Sequence, residues 1–111
     1  MKSETLAHLY DVLQAARAVT VFVTGRTLAD YAADELLRSA VERKFEIMGE
    51  ALNRIRRDDP DLLARIRDHR AIISFRNILI HGYDTIDDRI VWGVIQEGLA
   101  GLVEDVEALL A

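Results

Sequence analysis

The segment RNILIHGY, residues 76–83, sets Arg76, Asn77, His81 and Tyr83 among apolar neighbours. Burying polar groups without partners is costly, so these four side chains either lie at the edge of the core or carry out chemistry. A guanidinium stays charged and suits phosphate oxygens, and an imidazole can transfer a proton near neutral pH. An arginine and a histidine at one phosphate would therefore be a competent pair for phosphoryl chemistry.

The spacing of Arg76 and His81 decides how the two side chains could meet. Five residues of helix give roughly 7.5 Å of rise and about 140° of rotation, so the side chains do not stack directly. They could converge if His81 lies at the helix end, where the dipole favours the imidazolium form. Because such spacing is common by chance, the residues alone favour an ion pair for Arg76 and a helix cap for His81.

The elements that must position these residues are helical, since apolar residues recur at three- and four-residue spacing along the chain. The pattern predicts four main helices, with a break in the third near Asp68 and His69. Their expected bounds are residues 4–24, from Thr27 to the RRDDP segment at 56–60, residues 62–80, and residues 88–110. Four amphipathic helices with short connections predict an all-α, up-and-down bundle forming one domain over residues 1–111.

Turn and cap residues sharpen these bounds. Thr27 opens a TLAD segment of the type that starts a helix, and Asp61 is expected to cap the third helix. Gly25 ends the first helix, and Gly82 suits the left-handed position just past the third.

Three glycines in the last helix, Gly93, Gly98 and Gly101, each cost up to about 1 kcal/mol relative to alanine. They indicate either close helix approach, within the chain or across a dimer, or simple tolerance, and the sequence does not separate these alternatives.

Composition narrows the classes of function. The 111 residues contain no cysteine, which excludes thiol chemistry and disulfides. Residues 1–14 lack the features of a signal peptide, and no apolar run approaches the roughly 20 residues that span a bilayer. We therefore expect a cytoplasmic protein without a membrane partner.

Charge is unevenly distributed along the chain. The net charge of −5 argues against wrapping long nucleic acid. Residues 38–76, however, hold ten Lys/Arg and seven Asp/Glu, while the remainder holds four and twelve. This segment is either an ordinary mixed surface or a phosphate-attracting patch beside RNILIHGY.

Searches for metal and cofactor motifs give no candidate. The paired Glu-x-x-His motifs of di-iron bundles, zinc-ligand spacing, and the phosphate-loop, nucleophile-elbow and dinucleotide motifs are absent from the sequence. We expect no metal and no cofactor, and we interpret His8 and His69 as ordinary surface or boundary residues.

Three blocks of the sequence carry a family resemblance. RNILIHGY resembles the Arg-x4-His-x-Tyr motif of the HepT-like toxins, within the HEPN superfamily. AVERKFEIMGEALNRI, residues 40–55, is similar to the second-helix signature of that family. HGYDTIDDRIVWGVI, residues 81–95, is similar to its continuation into the last helix, including Trp92.

This resemblance implies a helical bundle that forms a homodimer, in which the Arg-x4-His motifs of two subunits line a composite cleft. It implies a metal-independent endoribonuclease toxin, neutralised by an MntA-type nucleotidyltransferase that transfers AMP to Tyr83. Arg76 would bind the scissile phosphate of RNA, and His81 would serve as general acid or base. Asn77 would orient the phosphate or the histidine.

Other residues of the resembling blocks are assigned weaker roles. Arg43 is a candidate RNA-binding residue, although an ion pair with Glu46 or Glu50 is the stronger interpretation. Glu50 and Trp92 are interpreted as structural.

Two other hypotheses remain open. The chain could be a non-catalytic HEPN binding module for a small nucleotidyltransferase or a nucleotide, or a purely structural interaction protein. Loss of RNA cleavage on substituting His81 would separate the ribonuclease from both.

Overall fold

A computed structural model describes residues 1–81 and 86–111, and every regular element in these ranges is a helix. The predicted all-α class is therefore confirmed. Seven helices follow one another along the chain: α1 Ser3–Val23, α2 Leu28–Ala33, α3 Glu35–Asp58, α4 Pro60–Leu63, α5 His69–Ile80, α6 Asp88–Glu97 and α7 Leu99–Leu110. Within the described ranges, no helix combines the length and the apolar character needed to cross a membrane.

The core is built around α3, which packs against α1 on one side and α5 on the other, while α7 closes onto α1. Phe45 of α3 meets Phe75 of α5 edge to face, with ring centroids 5.7 Å apart, a favoured aromatic geometry. The largest fully buried side chains are Tyr31, Phe45, Leu9, Met48, Leu52 and Ile55. Helices this short are marginal alone, so this shared core holds α3 and α5 in register.

The second predicted helix is two helices. The TLAD prediction is confirmed, because Thr27 and Asp30 form a reciprocal capping box at the start of α2. The chain then breaks at Asp34, whose carboxylate accepts a hydrogen bond from the Leu37 backbone N–H at 3.0 Å. A capping carboxylate satisfies a donor that a new helix leaves open, so α3 begins as a separate helix at Glu35.

The third region is broken near Asp68 and His69, as predicted, between α4 and α5. The predicted cap at Asp61 is wrong. Asp59 caps α4 instead, accepting from the Leu62 N–H at 3.2 Å, because Pro60 has the fixed geometry that suits the first helical position. The prediction for Gly82 lies outside the described residues.

The predicted last helix is interrupted at Gly98, and two of its three glycines have a structural reason. A Cβ added at Gly98 would clash with the Asp68 carboxylate, and one at Gly101 would lie 3.1 Å from the Arg67 guanidinium carbon. Arg67 also binds both carboxylate oxygens of Asp105. These glycines therefore let the α4–α5 connection approach α7 within one chain.

Candidate active site

Arg76 is positioned by a close crossing of α3 and α5. A Cβ added at Gly49 of α3 would overlap the Cβ of Arg76 and lie 3.0 Å from the Ile72 carbonyl oxygen. Only a residue without a side chain lets the two backbones approach this closely. Gly49 thus sets the place at which the aliphatic part of the Arg76 side chain leaves the core.

The guanidinium of Arg76 is held on two sides. Its Nη2 donates to Oε2 of Glu50 at 2.6 Å, and its Nη1 donates to Oδ1 of Asn77 at 3.0 Å. The side chain is 23% exposed, so it lies at the edge of the core. Because a guanidinium has five N–H donors in a planar fork, these two bonds orient it and leave other donors for an anion.

Glu50 is held as a carboxylate. The hydrogen bond from Nε of Arg54, at 3.0 Å, and then the charge of Arg76 hold the pKa of Glu50 below its ordinary value. Glu50 was interpreted from the sequence as structural, and its contact is with the candidate catalytic arginine itself. That partner lies 26 residues away along the chain, so no local pattern could reveal it.

His81 ends α5 and is exposed. Its Nδ1 lies 2.7 Å from the carbonyl oxygen of Asn77. Since a carbonyl oxygen can only accept, Nδ1 carries the proton and donates it. A neutral His81 then has its lone pair on Nε2, the atom that could accept a proton from a substrate.

Asn77 connects the two candidate catalytic residues. Its side chain accepts from Arg76 and its backbone carbonyl accepts from His81. The last turn of α5 thus places both residues in contact with Asn77, through two different groups of that residue. Tyr83 lies outside the described residues.

Arg43 lies elsewhere. It is exposed, and its Nη1 contacts Oε2 of Glu46 at 3.2 Å, which confirms the predicted ion pair. It lines a groove with His8 and Asp11 of α1, and this groove also includes Glu50, the partner of Arg76. An RNA-binding role for Arg43 stays a prediction.

A polar groove of about 400 Å³ opens beside Arg76, lined by Glu50, Asn53, Arg54, Arg56, Arg57 and Arg76. We call it the arginine groove. Three of its arginines come from the last two turns of α3, where cations interact favourably with the helix dipole. The basic segment 38–76 was evident in the sequence, but these three arginines were not predicted as site residues. The signal was the run NRIRR at 53–57.

Neither His8 nor His69 lines the groove beside Arg76. His8 is half-buried in the Arg43 groove. His69 is half-buried at the start of α5, and within the described residues its Nδ1 has no hydrogen-bond partner. Burial first, and then the charges of Arg70 and Arg56, lower the pKa of His69. In the same part of the chain, no three His, Asp or Glu side chains form a group that could hold a metal ion.

Comparison with known proteins gives one consistent result. The chain matches the ribonuclease HepT-like family over residues 12–109. A protein of Methanocaldococcus jannaschii provisionally named as an RNase is 31% identical over 106 residues, covering 96% of each chain. One of Thermococcus cleftensis provisionally named ribonuclease HepT is 30% identical over 109 residues, covering 98% of each. No solved structure matches.

Proposed function

The chain belongs to the ribonuclease HepT-like family, and we propose that it is a metal-independent endoribonuclease that acts as the toxin of a toxin–antitoxin pair. The observation that carries the proposal is the contact of Asn77 with both Arg76 and His81 at the end of α5. It holds a permanent cation and a proton-transfer group at one helix end. Those two groups are what phosphodiester cleavage by the RNA 2′-hydroxyl needs.

In the proposed reaction, the RNA 2′-oxygen forms a bond to the adjacent phosphorus, and the bond from phosphorus to the 5′-oxygen breaks. The 2′-hydroxyl proton is removed by a base, and the departing 5′-oxygen takes up a proton. The products are a 2′,3′-cyclic phosphate and a 5′-hydroxyl. His81 serves one of these two proton transfers, with Nε2 as the reacting atom.

Arg76 would bind the non-bridging oxygens of the same phosphate, where charge grows in the transition state. Glu50 and Asn77 hold its guanidinium in place before the substrate arrives. Such preorganisation means that little rearrangement is needed at the moment of reaction. Asn77 would orient both partners through its side chain and its carbonyl.

The remaining parts of the proposal concern assembly and control. A homodimer would bring two such helix ends into one cleft in the cytoplasm. An MntA-type nucleotidyltransferase would neutralise the enzyme by transferring AMP to Tyr83, two residues after His81. Added negative charge and bulk at that place would repel and block RNA.

The test is RNA cleavage by the purified protein in EDTA, with intact mass recorded for each sample. His81→Ala should lower the rate by about 10²- to 10⁴-fold, the usual contribution of a general acid or base. His8→Ala is the matched control, because it removes a half-buried histidine that does not line the groove beside Arg76 and should cleave like the wild type.

Each other outcome has a defined meaning. Equal cleavage by the wild type and His81→Ala would remove His81 from the chemistry. A wild type that is inactive with unmodified mass would favour a non-catalytic module that binds a nucleotidyltransferase or a nucleotide. An inactive wild type carrying one added AMP on Tyr83 would be the neutralised toxin, as proposed.

A further inference from the structure

The arginine groove presents an unusual density of cations for an acidic protein. Among the described residues, four of the six that line it are arginines and Glu50 is the one carboxylate, although the whole chain carries −5. Arginine is the side chain whose planar fork matches phosphate oxygens in two-point contacts. The groove is therefore a local site for anions.

The groove has a direction as well as a charge. It follows α3 from Glu50, beside Arg76, to Arg57 in the last turn. Seven residues of helix span about 10 Å. At a rise of about 3.4 Å per stacked nucleotide, that length corresponds to about three nucleotides leading away from Arg76.

The three arginines of α3 along this path each contact a nearby side chain and remain exposed to solvent. Arg54 bonds Glu50, Arg56 donates to the side chain of Asn53, and Arg57 contacts its neighbour Asp58 at 3.4 Å. The side chain of Arg57 is 72% exposed. The exposed ion pair of Arg57 is weak in water, and the partner of Arg56 is an uncharged amide, so a phosphate can compete for both arginines.

We propose that the arginine groove binds the RNA backbone beside the scissile phosphate, with Arg56 and Arg57 contacting successive phosphodiesters and Arg76 at the reacting end. The inference rests on the proposed ribonuclease function and adds the path of the substrate. Phosphate contacts position a strand without reading its bases. The groove thus supplies affinity and register, while Arg76 and His81 supply the chemistry.

The test variant is Arg56→Gln/Arg57→Gln, which removes two cations and leaves the contacts between Arg54, Glu50 and Arg76 in place. The matched control is Arg17→Gln/Arg26→Gln, which removes two cations from exposed ion pairs outside α3 and α5. Thermal unfolding followed by circular dichroism confirms that both doubles are folded before either is compared.

Binding is measured first, because it does not depend on cleavage. The probe is a single-stranded RNA oligonucleotide with 2′-O-methyl sugars throughout, which lacks the attacking hydroxyl. The salt dependence of its affinity, as log K against log salt, should become shallower by about 1.4 in the groove double, or about 0.7 per lost phosphate contact. The control double should keep the wild-type slope, and AMP alone should compete poorly with the probe.

Cleavage of the corresponding RNA is measured second. The groove double should raise KM by at least about tenfold with kcat within twofold of the wild type, since its residues do not touch the reacting atoms. A slope and KM equal to those of the control double would overturn the proposed path. Effective competition by AMP would identify a nucleotide pocket and overturn it as well. If the wild type, with unmodified mass, binds with the expected slope but cleaves no RNA, the ribonuclease proposal fails while the backbone-binding groove stands.

Discussion

Two grooves of this molecule differ in both volume and lining: the larger one is mainly apolar, and the smaller one is rich in arginine. The larger, about 710 Å³, lies between α1 and the α6–α7 pair and is lined by apolar side chains such as Val21, Leu99 and Val103. The arginine groove, about 400 Å³, is lined mainly by guanidinium groups. At the rim of the apolar groove, Arg17 forms an ion pair with Glu107 at 3.4 Å.

The difference shows that concavity alone does not locate the reaction. A large apolar pocket is the usual first hypothesis for a ligand site, and an apolar surface recognises other apolar surfaces. Phosphodiester cleavage needs a fixed cation and a proton-transfer group instead. The smaller groove ends at Arg76, one residue from the Asn77 carbonyl that holds His81. Substitutions in the two grooves should therefore have separate effects.

The largest difference in cleavage rate is expected between Arg76→Ala and Arg17→Ala, which each remove one arginine from a different groove. Removing a preorganised group that stabilises transition-state charge typically costs about 10²- to 10³-fold in kcat, so Arg76→Ala should lose activity on that scale. Arg17→Ala should retain wild-type rates. Single-turnover cleavage at saturating protein measures both.

Arg76→Lys sharpens the same comparison. Lysine keeps the charge but lacks the fork that reaches Glu50 and Asn77 together, so we expect most of the activity to remain lost. Full activity in the lysine variant would mean that charge alone matters at this position. Equal losses in Arg17→Ala and Arg76→Ala would remove the distinction between the grooves.

A smaller effect is expected from glycines in the two parts of the molecule. Gly49→Ala should destabilise the protein by about 1–3 kcal/mol, the range for overpacking, because the new Cβ meets the Arg76 stem and the Ile72 backbone. Gly93→Ala in α6 should stabilise it by up to about 1 kcal/mol, since nothing lies within 4 Å of an added Cβ. Urea unfolding gives both values from the midpoints.

Activity distinguishes the two glycine variants further. Folded Gly49→Ala should also cleave more slowly, because separation of α3 from α5 moves Arg76 relative to Glu50. Gly93→Ala should cleave normally. A stable and fully active Gly49→Ala protein would show that the close crossing does not position the guanidinium.

The helices were predictable because their signals are local. Periodicity, the TLAD cap and the break near Asp68 each depend on residues within a few positions of one another. The restart at Asp34 was missed because helical periodicity continues through it, while a capping carboxylate redirects the backbone. Asp61 was chosen over Asp59 because the proline between them was interpreted only as an end signal for α3.

The candidate site was only partly predictable, for the opposite reason. Arg76, Asn77 and His81 lie within six residues. Their types allowed phosphate chemistry, their spacing alone favoured an ion pair and a helix cap, and the family resemblance selected the chemistry. The contact of Arg76 with Glu50 and the need for glycine at Gly49 depend on how α3 crosses α5. Such partners, 26 and 27 positions away, are set by packing of the shared core rather than by any local pattern.

The smallest expected effect uses His69 as a reporter of the field at the arginine groove. Burial first, and then the charges of Arg70 and Arg56, hold the pKa of His69 below its ordinary value of 6.5. Arg56→Gln removes one of those charges and should raise the pKa of His69, while burial keeps it below the ordinary value. Arg17→Gln, in the apolar groove, should leave it unchanged. NMR titration of the imidazole protons measures each shift.

The lowered pKa of His69 also determines how the free energy of unfolding changes with pH. Because the folded pKa of His69 is depressed, the unfolded chain binds its proton first as pH falls below about 6.5, and the native state loses stability in that window. Arg56→Gln should therefore lose less stability than Arg17→Gln between pH 7 and pH 5. If both variants gave the same His69 titration curve and lost the same stability between pH 7 and pH 5, the cations of the arginine groove would have no effect on groups outside its lining. The electrostatic difference between the two grooves would then be limited to groups in direct contact with the arginines.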